Sequence, residues 1–213
     1  KDAITEKTKL IFICNPNNPT STEINNADLR SFIKSVPSDV LIAVDEAYIE
    51  FSKLGKAGSV VNMIKDHANL VVCRTFSKAY GCAGFRIGYA ASQSINIKAL
   101  ASRHPSFGMS PGLLPTIAAR TALKDTTFVA HTVKQTNIGK EKVYKAFDKW
   151  SVDYEQSSTN FIYARDDRFV SDFRPKMKDA NILITKWGMM TNEVRISVGK
   201  PEWMDEFVNQ ARK

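Results

Sequence analysis

Three short, unbroken apolar runs constrain this chain more than any other feature: residues 10–14 (LIFIC), 40–44 (VLIAV) and 70–73 (LVVC). Strands with one wet face alternate apolar and polar residues, whereas strands covered on both faces do not. These runs do not alternate, and they read as buried strands of a parallel sheet. Between the first two, residues 26–36 place Leu29, Phe32, Ile33 and Val36 on one side of a helix. Strand, helix, strand is the repeating unit of an α/β domain. The expected fold is therefore α/β, with a mostly parallel central sheet, helices on both faces, and a fourth strand at residues 85–90.

Helical patterns dominate next, at residues 94–102, 112–123 and 126–150. The last carries Val129, Val133, Val143, Phe147 and Trp150 at spacings of three, four or their sums. The pattern then changes to strand (160–164), helix (168–179), short strand (182–184), strand (193–198) and a helix from Pro201. Proline suits a first helical turn, and Glu202 complements the helix dipole there. The chain is thus expected to divide into a large domain at 1–125, and a long connecting helix with a smaller α+β domain at 126–213. Residues 1–125 offer few helices to cover both faces of a buried sheet. A segment upstream is therefore expected to be missing, or to be supplied by another chain.

The charged and polar residues exclude several classes. Three cysteines (Cys14, Cys73, Cys82) without CxxC spacing read as reduced, mostly buried thiols of a cytoplasmic protein, not as a disulfide framework or metal site. Three scattered histidines offer no paired ligands. The net charge of +8 is spread along the chain and not massed on one stretch, so no nucleic-acid partner is expected. No run approaches a membrane span, so no membrane partner is expected either.

Four polar clusters sit at or beside the C-terminal ends of the predicted strands, the edge where open parallel sheets bind ligands. The first is Asn15-Pro16-Asn17-Asn18-Pro19-Thr20, a rigid loop that by itself reads as a turn. The second is Asp45-Glu46-Ala47-Tyr48, whose carboxylate could meet a cationic ligand nitrogen or cap a helix. The third, Arg74-Thr75-Phe76-Ser77-Lys78-Ala79-Tyr80-Gly81, holds a lysine that a desolvated site could make nucleophilic, or that could lie on a surface loop. In the fourth, Gly84-Phe85-Arg86-Ile87-Gly88-Tyr89, an arginine between glycines could approach a phosphate or form a strand salt bridge.

Taken in order, NPNNPT, DEAY and SKAYGCAGFRIGY resemble the class I/II aminotransferases, which are fold-type I enzymes dependent on pyridoxal 5'-phosphate (PLP). The likeness runs from about residue 9 to the C-terminus and is nearest to histidinol-phosphate aminotransferases. It implies the PLP-dependent transferase fold, a homodimer, and transfer of an amino group between an amino acid, or a histidinol-phosphate-like amine, and a 2-oxo acid. By motif, Lys78 matches the lysine that holds PLP as a Schiff base, and Asp45 matches the partner of the pyridine nitrogen. Asn18 and Tyr48 match the groups at the phenolic oxygen. Arg86, Ser77 and Thr75 match the phosphate ligands. Asn160 in STNF matches an asparagine near the active site, and Arg195 in VRISVG matches the arginine that binds the substrate carboxylate.

Two positions depart from the family pattern. Ser21 stands where a glycine is common, and Thr185-Lys186 stand where an arginine is frequent. The same lysine and aspartate also serve PLP-dependent decarboxylases and lyases, and non-catalytic PLP-binding regulatory modules, so these remain alternatives.

Overall fold

The computed structural model describes residues 1–103, 111–170, 172–186 and 192–212. They form two compact units. The first comprises Lys1–Pro16 and Glu23–Val129, the second Asn17–Thr22 and Ala130–Lys213.

The first unit is built on a four-stranded sheet in the order β1-β2-β3-β4, comprising β1 (Leu10–Cys14), β2 (Leu41–Asp45), β3 (Leu70–Thr75) and β4 (Gly88–Ala91). The first three strands are parallel, and β4 returns antiparallel to β3. Alternate residues Ile11, Ile13, Ile42, Val44, Leu70 and Val72 form one face. Helix α1 (Asn26–Ser35) packs on it through Leu29 and Ile33. Asn25 caps α1 by accepting from the Ala27 amide, and Asp28 complements the dipole in its first turn. On the other face of β1, Leu10 and Phe12 are exposed, at 55% and 64% of their surface. Helices α2 (Ser94–Arg103) and α3 (Leu113–Lys124) follow β4.

The expected strand at 85–90 begins later than its apolar pattern suggests. Residues Ala83–Phe85 make a 3-10 turn, and Arg86 takes a left-handed conformation (φ 51°), so pairing starts only at Gly88. A β-carbon on Gly88 would come within 2.6 Å of the Arg74 carbonyl oxygen, which explains the glycine.

Helix α4 (Thr126–Trp150) has the span its spacing predicts. In the second unit an antiparallel sheet runs β5-β6-β8-β7, made of β5 (Asp153–Tyr154), β6 (Phe161–Arg165), β7 (Thr185–Lys186) and β8 (Glu193–Ser197). Its core gathers Val143 and Phe147 of α4, Ile162 and Ala164 of β6, and Val194 and Ile196 of β8. Phe173 and Met177 of α5 (Phe173–Asp179) join it, with Met204 and Phe207 of α6 (Pro201–Arg212).

Two expectations are corrected here. The helix read at 168–179 is shorter, because Asp166 accepts from the Arg168 amide and closes a separate 3-10 turn at Asp167–Phe169. The short strand read at 182–184 lies instead at Thr185–Lys186. Ile182 is occupied with the preceding helix, its amide donating to the Met177 carbonyl. Among the described residues, no helix is long and apolar enough to cross a membrane.

Candidate active site

The polar edge of the first unit begins where the parallel strands end. Cys14, Asp45 and Cys73 are register partners across β1, β2 and β3. Partners in adjacent strands project from the same face, so the carboxylate stands between two thiols. The three cysteines are free and only partly buried, less so than their apolar surroundings suggested.

Asp45 is half-buried. Desolvation pushes its carboxyl above the ordinary range, with a smaller push from the neighbouring Glu46; the Ala47 amide and the positive charge of Lys78 oppose the rise. The Ala47 amide donates to Asp45 Oδ1 at 3.0 Å.

Lys78 is carried by the turn that follows β3. Phe76, Ala79 and Tyr80 are buried and anchor this turn. The Gly81 amide closes it onto the Lys78 carbonyl at 2.9 Å, with Gly81 at φ 67°, where a side chain would be strained. The Lys78 ammonium lies 5.2 Å from the centre of the Tyr48 ring, a cation–π contact. Asp45, Tyr48 and Lys78 thus form one group.

At the end of β3, Thr75 Oγ1 donates to Ser77 Oγ at 2.9 Å and accepts from the Ser77 amide at 3.1 Å. The two hydroxyls are adjacent and bonded to each other. Arg86 lies on the turn before β4, exposed, with Nη1 donating to the Ala83 carbonyl at 3.0 Å.

The second unit holds the other candidates. Arg195, in β8, donates through Nη1 to Asn18 Oδ1 at 3.1 Å, and its guanidinium sits 4.7 Å from the centre of the Phe161 ring. Asn160 immediately precedes β6, and its carbonyl accepts from the Val198 amide at 2.9 Å. The Asn17–Thr22 loop is braced within itself by Asn17 Nδ2 donating to Thr20 Oγ1 at 2.7 Å, and is tied to the segment before β6 by the Ser158 amide donating to the Ser21 carbonyl at 2.8 Å. Ser21 is fully buried at φ 60°, and its hydroxyl has no hydrogen-bond partner.

Residues 1–210 match the profile described as aminotransferase class I and II. The chain belongs to this family. A histidinol-phosphate aminotransferase of Carboxydothermus hydrogenoformans is 34% identical over 99% of the chain and 59% of its own length. An aromatic amino acid aminotransferase of Mycobacterium tuberculosis is 37% identical over 99% of the chain and 58% of its own length. The crystal structure of histidinol-phosphate aminotransferase from Sinorhizobium meliloti, in complex with pyridoxal-5'-phosphate, aligns with a TM-score of 0.82 at 26% identity. That alignment covers 95% of this chain and 57% of that one. The architecture of this class I/II aminotransferase chain is thus that of the PLP-dependent enzymes, and the chain spans a little under three fifths of the length of these relatives.

Sequence reasoning passed over one polar group beside the site. The buried Glu46 carboxylate pairs with the partly buried guanidinium of Arg74, and Ser59 joins them. The signal lay in the period of two. A residue next to Asp45 or Thr75 at a strand end faces the opposite side, and there a charge needs a partner.

Proposed function

We propose that this chain is the larger part of a PLP-dependent aminotransferase in which Lys78 holds the cofactor. The observation that carries the reading is the Lys78–Tyr48–Asp45 group: an amine over a phenol ring, with a carboxylate close enough to feel its charge. The donor set fits pyridoxal phosphate. It offers an acid for a pyridine nitrogen, an amine for an aldehyde, and paired hydroxyls with a nearby arginine for a phosphate. The bound cofactor would supply an electron sink for the carbon next to the amino group.

The protein's own residues would do the rest. Asp45 would keep a proton on the pyridine nitrogen, and its desolvation strengthens that pairing, because a half-buried carboxylate gains most from a cation. Thr75 and Ser77 would donate to the phosphate, with Arg86 swinging from the Ala83 carbonyl to join them. Tyr48 and the Asn18 amide nitrogen would donate to the phenolic oxygen. Arg195 would grip the substrate carboxylate with its planar fork, near Asn160, and orient the Cα–H. Lys78 would be the amine that takes the proton from the substrate Cα and holds it for return. Such acid–base help gives about 10²–10⁴-fold. Substrates would be an amino acid or a histidinol-phosphate-like amine and a 2-oxo acid, with a homodimer as the working form.

The test is a half-reaction screen. Full-length protein loaded with PLP is mixed with single amino acids and with histidinol phosphate, and the bound-cofactor absorption band is followed. Loss of the band with one donor, and its recovery on adding a 2-oxo acid, supports transamination. Release of carbon dioxide without an oxo-acid acceptor would move the assignment to a decarboxylase. No response to any donor would refute an enzymatic role.

A further inference from the structure

The polar group on the opposite face of the strand ends is closely bonded. The Glu46 side chain is 2% exposed and that of Arg74 is 13% exposed. Arg74 donates to Glu46 Oε2 through Nε at 3.0 Å, and its Nη2 lies 2.9 Å from the same oxygen. Ser59 Oγ is 2.7 Å from Oε2 and 2.9 Å from Oε1, and the Val60 amide donates to Oε1 at 2.9 Å. Arg74 Nη2 also donates to Ser59 Oγ at 2.7 Å. Both carboxylate oxygens and the inner edge of the guanidinium are therefore satisfied.

The position of this network carries its meaning. The β2–β3 ladder continues past Asp45 to one further bond, from the Glu46 amide to the Cys73 carbonyl at 2.8 Å. From there on, side chains hold the two strand ends together. Glu46 directly follows Asp45, and Arg74 directly precedes Thr75. A displacement of either partner passes through one peptide unit to a residue of the candidate cofactor site. A buried ion pair is a poor source of net stability, because desolvation of both charges offsets their attraction. Its geometry is a better reason for it.

We propose that Glu46, Arg74 and Ser59 form a positioning clamp that sets the separation between the Asp45 carboxylate and the Thr75–Ser77 hydroxyls, and so matches them to the two ends of one rigid cofactor. Glu46 and Arg74 touch neither cofactor nor substrate. They act through Asp45 and Thr75, and the inference rests on the cofactor reading given above.

The test uses full-length protein, stripped of cofactor and then titrated with PLP. Three variants are compared with the wild type: Glu46→Gln, Arg74→Lys, and the double variant Glu46→Leu with Arg74→Met. Thermal midpoint of the stripped form, PLP dissociation constant and position of the bound absorption band are measured for each. The double variant removes both charges, and its midpoint should fall only by the loss of an acceptor for the buried Val60 amide and Ser59 hydroxyl, while PLP binds about tenfold more weakly, as is typical when a group that orients a ligand-binding residue is lost. Arg74→Lys keeps the charge but loses the fork. It should show the same separation of affinity from stability, and it decides the matter if the double variant does not fold. A folded double variant, or a folded Arg74→Lys, that binds PLP as tightly as wild type with an unmoved band overturns the clamp. So does an affinity loss that follows the midpoint across all three variants, which would mark the pair as structural only. Failure of the wild type itself to bind PLP would instead remove the cofactor reading, and the clamp with it.

Discussion

Arg195 donates to the side-chain oxygen of Asn18 at 3.1 Å, joining two residues 177 positions apart. The bond leaves the amide nitrogen of Asn18 as a donor and holds one arm of the guanidinium in place. Arg195→Lys should raise KM for the amino donor by about 100-fold through loss of the bidentate grip, and leave the cofactor band where it is. Asn18→Ala should raise KM by about tenfold, the value of one hydrogen bond to a charged group, and also move the pH titration of the band upward as the phenolic oxygen loses a donor. Steady-state kinetics and spectral titration on full-length protein separate the two.

Lys78 is the residue whose removal should matter most. In Lys78→Ala the absorption of the lysine-linked cofactor should vanish, and turnover should fall by at least about 10⁴-fold, because anchor and proton carrier are lost together. The ammonium faces the Tyr48 ring, and among the described residues no carboxylate forms an ion pair with it, so the thermal midpoint of the stripped variant should stay close to wild type. A Lys78→Ala protein with an unchanged spectrum contradicts the assignment.

Asp45 gives a prediction of opposite sign for stability and function. Burial raises its carboxyl above the ordinary 3.8. Between that value and the raised one, the folded state binds more protons than the unfolded state, so the group's contribution to stability falls as pH rises through the window. Asp45→Asn keeps an acceptor for the Ala47 amide and carries no charge to desolvate. The stripped variant should therefore resist urea better than wild type at pH 7, and the advantage should disappear as the solution is acidified below the ordinary carboxylate range. PLP affinity should drop in the same variant.

Ser21 offers a simple gain. It holds a left-handed backbone angle that favours glycine, and it buries a hydroxyl without a partner. Ser21→Gly removes both costs and should stabilise the protein by about 1 kcal/mol in urea denaturation, since a non-glycine residue in that region costs of order 1–3 kcal/mol and glycine's greater unfolded-state freedom returns part of the gain.

Much of this was legible before the structure. Leu10–Cys14 and Thr126–Trp150 occupy the spans that their apolar run and helical spacing indicate, although β1 is covered on one face and exposes Leu10 and Phe12 on the other. The first turn of β4 was not legible. Arg86 adopts a positive φ without being glycine, and no propensity marks that. The strand at Thr185–Lys186 was missed because two residues carry too little pattern to outweigh the apolar Ile182-Leu183-Ile184 before them. Motif order named Lys78, Tyr48 and Asp45 as one set, and the Lys78 ammonium lies over the Tyr48 ring. The Glu46–Arg74 pair was not foreseen: the period of two turns each away from the site, but nothing local names a partner 28 residues away.

The row Cys14–Asp45–Cys73 has a practical outcome. Burial raises the Cys73 thiol, and the negative charge of Asp45 raises it further. Its chemistry therefore reports on its neighbour. A cation settling against the carboxylate would ease ionisation of the sulfur and shift its S–H stretching frequency, giving experimenters a native vibrational label one strand away from the acid, with no foreign group to install.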